Sequence, residues 1–408
     1  SLCAASHSVI GLQLTLSTTE GCSQRLKTRT VWPRFAKETA KAITPFSGPP
    51  KGTASALRPS KGTELSRIVT SMVVIYTLLS HNMLRNPTHP LRVDSRSLKY
   101  PTDYTQIVAK LMVRYTVLKN RELVKVTGAH SRSFLQGMIS NDVESLTSNR
   151  SIYAAMLSPQ GKYLHDFILL ARDAEVWLDN ESVRCTELVR RLSLFRLNTD
   201  VQILPQGSSF AVAAIWGDNA ISCAGMKEKA GATRQFGAGL ITVDPRLPSL
   251  GLRLIARSDA INDLLLTLKA EESSNTDYDM HRLNLGVPDG SRDMIVDKSY
   301  LLESNFEDLN GVDFDKGCYI GQENTARQKH RGTVRKRLVK VIIEGPSPRL
   351  GEPIKWNQTE IGTMRSSRAD TGLALIRIDR WKEAKTEGAM MNAGDARITP
   401  VKPDWATF

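Results

Sequence analysis

The composition of the chain changes sharply near residue 110, and this change limits which part of it can form a packed core. Residues 1–100 hold fourteen Lys and Arg against four acidic residues, and seven prolines interrupt them. A segment so polar cannot bury enough apolar surface to offset the entropy of ordering it. We therefore expect residues 1–110 to be a basic leader or an irregular extension, while the remainder carries the fold.

The net charge of +13 belongs mostly to that leading segment. Residues 1–100 carry +10, so the other 308 residues carry only +3. The folding part is therefore nearly neutral, and its charge is a poor argument for direct nucleic-acid binding. An acid-poor segment rich in Arg and Ser is typical of an import signal, which predicts the mitochondrial matrix. A bacterial cytoplasmic protein is the alternative if residues 1–110 are not a leader.

Two classes of protein are disfavoured by local patterns. The apolar run at 68–79 is too short to span a bilayer, which needs about 20 residues, so no membrane association is expected. The five cysteines form no CxxC pair and no Cys/His cluster, which argues against a zinc site or any other resident metal site. Their odd number and wide spacing also argue against a disulfide framework, so a reducing compartment is expected.

From residue 111 onward the hydrophobic pattern predicts a compact α+β fold. Residues 111–330 are predicted to form α+β domains. Residues 331–408 are predicted to form a small closing β-barrel and tail, because short strands there are separated by Gly and Pro. Strands are predicted at 122–126, 152–157, 163–170, 201–204, 210–216, 240–243, 252–256, 338–343, 361–365 and 373–378. Helices are predicted around residue 135 and at 181–197, 259–268 and 277–285.

The segment around Cys318 carries the most chemical information. Gly317 precedes the cysteine and Gly321 follows Tyr319 and Ile320, so the backbone there can adopt conformations closed to other residues. A thiolate is the form of cysteine that ligates metals or attacks electrophiles. By contrast, Cys185 and Cys223 lie in apolar-periodic segments and are predicted to be small buried hydrophobes.

Polar residues flank this cysteine on both sides. Lys316 and Arg327 are candidate cations that would lower the pKa of the thiol. Gln322 and Glu323 offer an amide and a carboxylate to a polar ligand. The basic run at 329–337 could meet phosphate, but it contains no aromatic residue for base stacking, and a charge run is usually a solvated face.

Residues 316–323, Lys-Gly-Cys-Tyr-Ile-Gly-Gln-Glu, closely resemble the signature of the YgfZ/GcvT family. The resemblance covers roughly residues 112–402 and does not extend to residues 1–100. One departure is Asn324, where an apolar residue is usual. Further matching stretches lie at 126–128, 134–137, 141–143, 160–162, 244–246, 282–286 and 302–305.

The resemblance implies a three-part fold around a central channel, as in the T-protein of glycine cleavage. It also implies tetrahydrofolate binding in that channel, with the signature cysteine nearby. Such a pocket needs cations for the glutamate tail of the folate. The candidate tail-binding residues are Arg246, Arg253, Arg282 and Arg327, and Asp166 matches a family aspartate of the second hairpin.

Three functions remain open on this resemblance. The first is an iron–sulfur cluster assembly or repair factor that works with A-type carrier proteins and 4Fe–4S client enzymes, with Cys318 holding a transient cluster, a partner thiol or a one-carbon adduct. The second is a folate-dependent aminomethyltransferase. Against it, the resemblance places His165 at the position where T-proteins carry a catalytic aspartate. The third is a link to tRNA modification. We favour the first, a maturation factor rather than an enzyme, and expect His165 to face solvent.

Overall fold

The computed structural model describes residues 113–332 and 334–408. The predicted leader and the apolar run at 68–79 therefore lie outside the described residues. Within them, no helix combines the length and apolar character that crossing a bilayer requires. The same residues bring together no group of three or more His, Cys, Asp or Glu side chains suited to hold a metal ion.

Short strands dominate the described chain. The strands are β1 (Arg114–Val117), β2 (Arg121–Thr127), β3 (Ile152–Leu157), β4 (Tyr163–Arg172), β5 (Glu175–Glu181), β6 (Gln202–Pro205), β7 (Phe210–Trp216), β8 (Thr233–Phe236), β9 (Gly239–Val243), β10 (Leu252–Arg257), β11 (Glu271–Glu272), β12 (Lys336–Glu344), β13 (Pro353–Trp356), β14 (Thr359–Arg368), β15 (Thr371–Arg377), β16 (Met391–Ala393) and β17 (Ala396–Val401).

Helices connect these strands and cover their outer faces. The α-helices are α1 (Ser131–Met138), α2 (Cys185–Arg196), α3 (Ala220–Cys223), α4 (Ile261–Thr267), α5 (Asn275–Leu285), α6 (Gly290–Asp293), α7 (Gln322–Arg331) and α8 (Ile378–Thr386). Single 3₁₀ turns lie at Val143–Ser145, Ser182–Arg184, Gly207–Ser209, Pro248–Leu250 and Leu302–Ser304.

Two sheets pack face to face and form the centre of the fold. The first sheet has the order β11-β1-β7-β10-β9-β8, and the second has the order β3-β4-β5-β2-β6. Both faces of each sheet are covered. In the first sheet, Val212 and Ala214 of β7 lie in the core between the sheets, and Ala213 and Ile215 lie in a core on the outer face. In the second sheet, alternate residues of β3 are divided in the same way. Burial on both faces explains why β3 is apolar along its whole length instead of alternating.

The C-terminal part closes into a six-stranded barrel in the order β12-β15-β14-β13-β16-β17. Its interior is filled by apolar side chains such as Val339, Ile361 and Ile398. The predicted α+β class with a C-terminal β-barrel is therefore confirmed. The barrel contacts the rest of the fold through a buried hydrogen bond from Asn305 Nδ2 to the carbonyl of Leu338 at 2.7 Å.

The sequence-based prediction is wrong at residues 175–184, and it also missed short strands and helices such as α7 and α8. The helix predicted at 181–197 begins only at Cys185, and the preceding strand β5 was missed. Its interior carries Asp179 and Asn180, which obscure the apolar pattern of a strand. Both residues are buried, and Asp179 is paired with arginines from distant parts of the chain. A buried ion pair formed across the fold leaves no local signal in the sequence.

Candidate functional site

Lys316 anchors the loop that carries Cys318. Its ammonium group donates to the carbonyls of Gln136, Ile139 and Asn141 at 2.8, 2.7 and 2.8 Å. Gln136 lies in the last turn of α1 and Ile139 caps it, so the cation satisfies carbonyls that a helix end leaves unpaired. Burial lowers the pKa of Lys316 to about 8, although the negative charges of Asp142 and Asp313 act to raise it.

Close backbone packing holds the other end of this loop. Gly321 has φ of +84°, and a Cβ atom there would lie 2.4 Å from the carbonyl oxygen of Ser158. Gly161, with φ of +73°, faces it across the β3–β4 turn. Asn324, the departure from the family pattern, donates to the carbonyl of Gln160 at 2.6 Å. Gly317 differs, because nothing lies within 4 Å of an added Cβ.

Tyr319 and its neighbours complete the attachment. The Tyr319 side chain is buried, and burial raises its pKa to about 12. Its backbone amide donates to Gln322 Oε1 at 3.2 Å, and the amide of Ile320 donates to the carbonyl of Gly137 at 3.1 Å. The loop is therefore fixed to α1 on one side and to the β3–β4 turn on the other.

Cys318 itself is exposed on this fixed loop, three residues before Gly321 caps α7. Glu323 and Arg327 lie on the exposed side of α7 and form an ion pair with each other. The other two described cysteines differ in burial: Cys185 is buried and Cys223 is half-buried. Burial and the nearby Glu122 raise the pKa of Cys185 to about 12. Among the cysteines of the described residues, Cys318 is the exposed one.

A second feature is a polar cavity of about 380 Å³ elsewhere in the fold. That volume is within the range of small-molecule sites, about 300–1,000 Å³. Three of the four arginines expected to bind a folate tail line it, whereas Arg327 does not. Its lining residues are Leu118, Lys119, Asn120, Arg121, Arg246, Arg253, Asn275, Thr276, Tyr278, Asp279, Arg282, Asp289, Arg292 and Arg368.

Buried ion pairs hold the three cavity arginines in place. Arg246 pairs with Asp244 at 2.8 Å, and Arg253 bridges Asp179 at 2.9 Å and Asp244 at 3.3 Å. Burial alone would raise the pKa of Asp244, but the charges and hydrogen bonds of the two arginines outweigh it and hold that pKa at about 2. Arg282 is held in the same way and bridges two buried aspartates, Asp279 and Asp293.

The cavity nevertheless keeps an excess of positive charge. Seven basic side chains line it, and five carboxylates form ion pairs with six of them, so the lining cations outnumber their ion-paired carboxylates by two. The charge of Asp166 also acts on Arg121 from outside the lining. The five carboxylates are Asp179, Asp244, Asp279, Asp289 and Asp293. Lys119 is exposed, and among the described residues it has no carboxylate within 4.0 Å. Sequence reasoning did not assign these acids as partners. Asp244, Asp279 and Asp289 lie two or three residues from an arginine that they pair with, so that spacing is a signal that could have found them. Asp179 and Asp293 reach their arginines only through the fold.

Asp166 lies in the core between the two sheets. Tyr153 Oη donates to it at 2.9 Å and Tyr163 Oη at 2.6 Å. Glu181 is close by: an added Cβ at Gly290 would lie 1.6 Å from Glu181 Oε1 and 3.1 Å from Asp166 Oδ1. Burial and then the charge of Asp166 raise the pKa of Glu181. Asp166 is not itself a lining residue of the cavity.

The expectation for His165 was wrong, because its side chain is buried. Its Nε2 atom has no hydrogen-bond partner. Burial, and then the charges of Arg184 and Arg191, lower the pKa of His165 to about 3. The imidazole is therefore neutral at physiological pH. Nearly every residue of β4 is buried, so this strand has no exposed face that an alternating sequence pattern could have revealed.

The structure places most of the predicted residues in two separate regions, and Asp166 lies in neither. Lys316, Tyr319, Gln322 and their neighbours form the surface loop around Cys318, and Arg246, Arg253 and Arg282 line the cavity. No residue of the segment 316–323 lines that cavity. We expected the cysteine to lie near the ligand channel. The loop that carries it does not line this cavity.

Comparisons with known proteins agree with this architecture. A family model, the CAF17 C-terminal beta-barrel domain, matches residues 335–408. The aminomethyltransferase T of the glycine cleavage system from Bartonella henselae superposes with a TM-score of 0.60 at 15% identity, over 73% of this chain and 87% of that chain. At so low an identity this likeness shows the fold alone, and it confirms the expected GcvT-like fold.

Three relatives at higher identity share one name. The human iron-sulfur cluster assembly factor IBA57, mitochondrial, is 32% identical over 312 residues, covering 71% of this chain and 84% of that protein. The homolog from Coccidioides immitis is 28% identical over 71% of this chain and 82% of that protein. A homolog from Mycosarcoma maydis is 33% identical, and there the match covers 54% of this chain and only 55% of the relative.

Proposed function

Because the chain belongs to the IBA57 family of iron–sulfur cluster assembly factors, we propose that it supports the maturation of 4Fe–4S proteins through the thiol of Cys318. The observation that carries this proposal is an exposed cysteine on a loop whose flanking residues are fixed. Iron–sulfur clusters are held by cysteine thiolates, and an exposed thiolate can take part in such a site on a partner's surface.

The loop favours a role in transfer over permanent storage. Cys318 is the only cysteine of the segment 313–337, so this loop supplies at most one thiolate to a cluster that needs about four ligands. The remaining ligands come from a second protein. The cluster is thus cargo passed between proteins, with A-type iron–sulfur carriers as donors and 4Fe–4S enzymes as recipients. The named relatives are mitochondrial, which supports the mitochondrial matrix as the proposed site of the reaction.

Tetrahydrofolate is the proposed ligand of the cavity. Its dicarboxylate tail fits the excess of two positive charges, with Lys119 at the exposed end and Arg368 partly exposed beside the network. Tyr278 offers a buried ring for the pterin. The folate would supply a one-carbon acceptor when bound.

Two residues argue against a net aminomethyl transfer. His165, at the position of the transferase aspartate, is buried and neutral, so it cannot hold a folate amine as a carboxylate does. Asp166 is buried, accepts hydrogen bonds from two tyrosines and does not line the cavity, so it is not placed to take a proton from a ligand there. We therefore assign the folate a binding role.

Complementation of cells that lack their own family member tests the role of Cys318. Cys318→Ser should abolish activity of 4Fe–4S enzymes while leaving the melting temperature of the full chain nearly unchanged, because an exposed thiol contributes little to the core. Cys185→Ser, which replaces a buried cysteine, is the matched control and should remain active. Full enzyme activity with Cys318→Ser would disprove the proposal.

Calorimetry with tetrahydrofolate tests the cavity separately. We expect binding, with no turnover when aminomethylated lipoyl carrier is added. Efficient turnover would instead support the aminomethyltransferase function. An absence of binding would remove folate from the proposal and leave the test of Cys318 unaffected.

A further inference from the structure

The charge around Cys318 is divided unevenly along the chain. Residues 313–323 hold three acids and one lysine, and that lysine is Lys316, whose ammonium is engaged by three carbonyls. Residues 324–337 hold six Lys and Arg and no acid. The cysteine therefore stands at the acidic end of a polarised surface, and α7 runs from it toward the basic end.

Two exposed arginines at the basic end have no described acidic partner, whereas Arg327 and Lys329 pair with Glu323 and Glu307. Among the described residues, no carboxylate lies within 4.0 Å of Arg331 or Arg335, both of which are exposed. Exposed arginines elsewhere are of both kinds: Arg257 pairs with Asp259 at 3.0 Å, whereas Arg150 and Arg349 have no described carboxylate within 4.0 Å. Arg331 and Arg335 differ from these in lying only four residues apart, next to Lys336. We call the surface formed by Arg331, Arg335 and Lys336 the basic patch.

An exposed aromatic ring lies beside α7, next to Lys329. Phe314 is 37% exposed, and Lys329 Nζ stands 5.5 Å from the centre of its ring. A partly exposed aromatic ring is a usual anchor of protein interfaces. The α-helix α7 has ten residues and is about 15 Å long, whereas a standard interface covers about 800 Å² on each partner. One partner can therefore cover the thiol, the ring and the basic patch together.

We infer that this surface docks a protein whose acidic face lies on the basic patch, so that its own thiol-bound cargo meets Cys318. The inference rests on the proposed function and adds the chemistry of the partner. A nucleic acid fits less well, because Asp313, Asp315 and Glu323 would repel phosphates next to the cysteine. A protein can present acids to one end and uncharged or basic groups to the other, so the polarity also sets its orientation.

An activated peptide disulfide probes this surface in the full chain. The peptide carries a cysteine joined to thionitrobenzoate and, five extended residues or about 17 Å away, four glutamates. The thiolate of Cys318 forms a new S–S bond with the peptide sulfur, the old S–S bond breaks, and thionitrobenzoate leaves with the electron pair and is measured by absorbance. A peptide with four glutamines is the uncharged control, and the rate of Cys318→Ser gives the background of other thiols.

We expect the glutamate peptide to react with Cys318 about tenfold faster than the glutamine peptide at low ionic strength, and about equally fast near 1 M salt. Arg331→Glu with Arg335→Glu should abolish the preference. Lys382→Glu with Lys385→Glu changes the net charge equally on exposed positions of α8 and should retain it. Equal rates in the unsubstituted protein, or an equal loss in both double variants, would overturn the inference.

A fluorescently labelled single-stranded RNA distinguishes the nucleic-acid alternative. Micromolar, salt-sensitive binding that Arg331→Glu with Arg335→Glu abolishes would assign the basic patch to phosphates and refute the acidic protein partner. No binding, together with the peptide preference, supports it. If Cys318→Ser fails in cells while the peptide preference is absent, only the docking surface is wrong; if Cys318→Ser functions, the proposed function itself is wrong.

Discussion

The buried imidazole of His165 should make the protein sensitive to acid in a defined pH window. Burial and two nearby arginines depress its pKa in the folded chain to about 3, whereas the unfolded chain has the ordinary value of 6.5. Between these values the unfolded state binds a proton that the folded state does not. Stability contributed by the neutral ring is therefore present above pH 6.5 and is lost as the pH falls toward 3.

The size of this effect follows from the linkage relation. Each pH unit below 6.5 costs about 1.4 kcal/mol while the folded ring stays neutral. Lowering the pH from 7 to 5 should therefore cost about 2 kcal/mol through His165 alone. The variant His165→Leu lacks this proton site, so its free energy of unfolding should fall by about 2 kcal/mol less than that of the unsubstituted protein over the same interval.

Urea denaturation of both proteins at pH 7 and pH 5 measures the difference. Met156→Leu is the matched control, because Met156 pairs with His165 across β3 and β4 and carries no titratable group. It should show the pH dependence of the unsubstituted protein. Equal pH dependence in His165→Leu and the unsubstituted protein would refute the reasoning, as would an imidazole NMR signal that titrates with a midpoint near 6.5.

The remaining predictions concern the loop around the cysteine. Lys316→Met removes three bonds from an ammonium group to carbonyls and should lower the free energy of unfolding by about 1.5–3 kcal/mol, whereas Lys355→Met, an exposed control on the barrel, should change it by less than about 0.5 kcal/mol. Equal losses would contradict the anchoring role. Gly321→Ala should cost at least about 2 kcal/mol by the same measurement, because φ is +84° and the new Cβ would meet the carbonyl of Ser158, while Gly317→Ala should be nearly silent. A silent Gly321→Ala would disprove the close packing of the two turns.

Features that depend on neighbouring residues were predictable from the sequence. The strands β3 and β7 were predicted with the observed bounds, because their apolar runs end at turn residues. The closing barrel followed from short strands separated by Gly and Pro. Cys318 was singled out by the resemblance of residues 316–323 to the YgfZ/GcvT signature, together with the glycines and polar residues around it, and the burial of Cys185 was predicted from its apolar-periodic surroundings. Each of these signals lies within about ten residues of the feature it predicts.

Contacts between distant residues were decided only by the tertiary structure. The sequence shows Lys316 as a cation beside a thiol, but the fold gives its ammonium to three carbonyls at and just after the end of α1, 175–180 residues earlier. It shows Arg253 as a candidate for a ligand's carboxylate, but the fold pairs it with Asp179 of β5, 74 residues away. The physical reason is that charge and hydrogen-bonding capacity belong to a side chain, whereas the partner that uses them is set by which backbone segments pack together. The sequence therefore determined which groups are available, and the packing of two sheets determined which of them remain free to act.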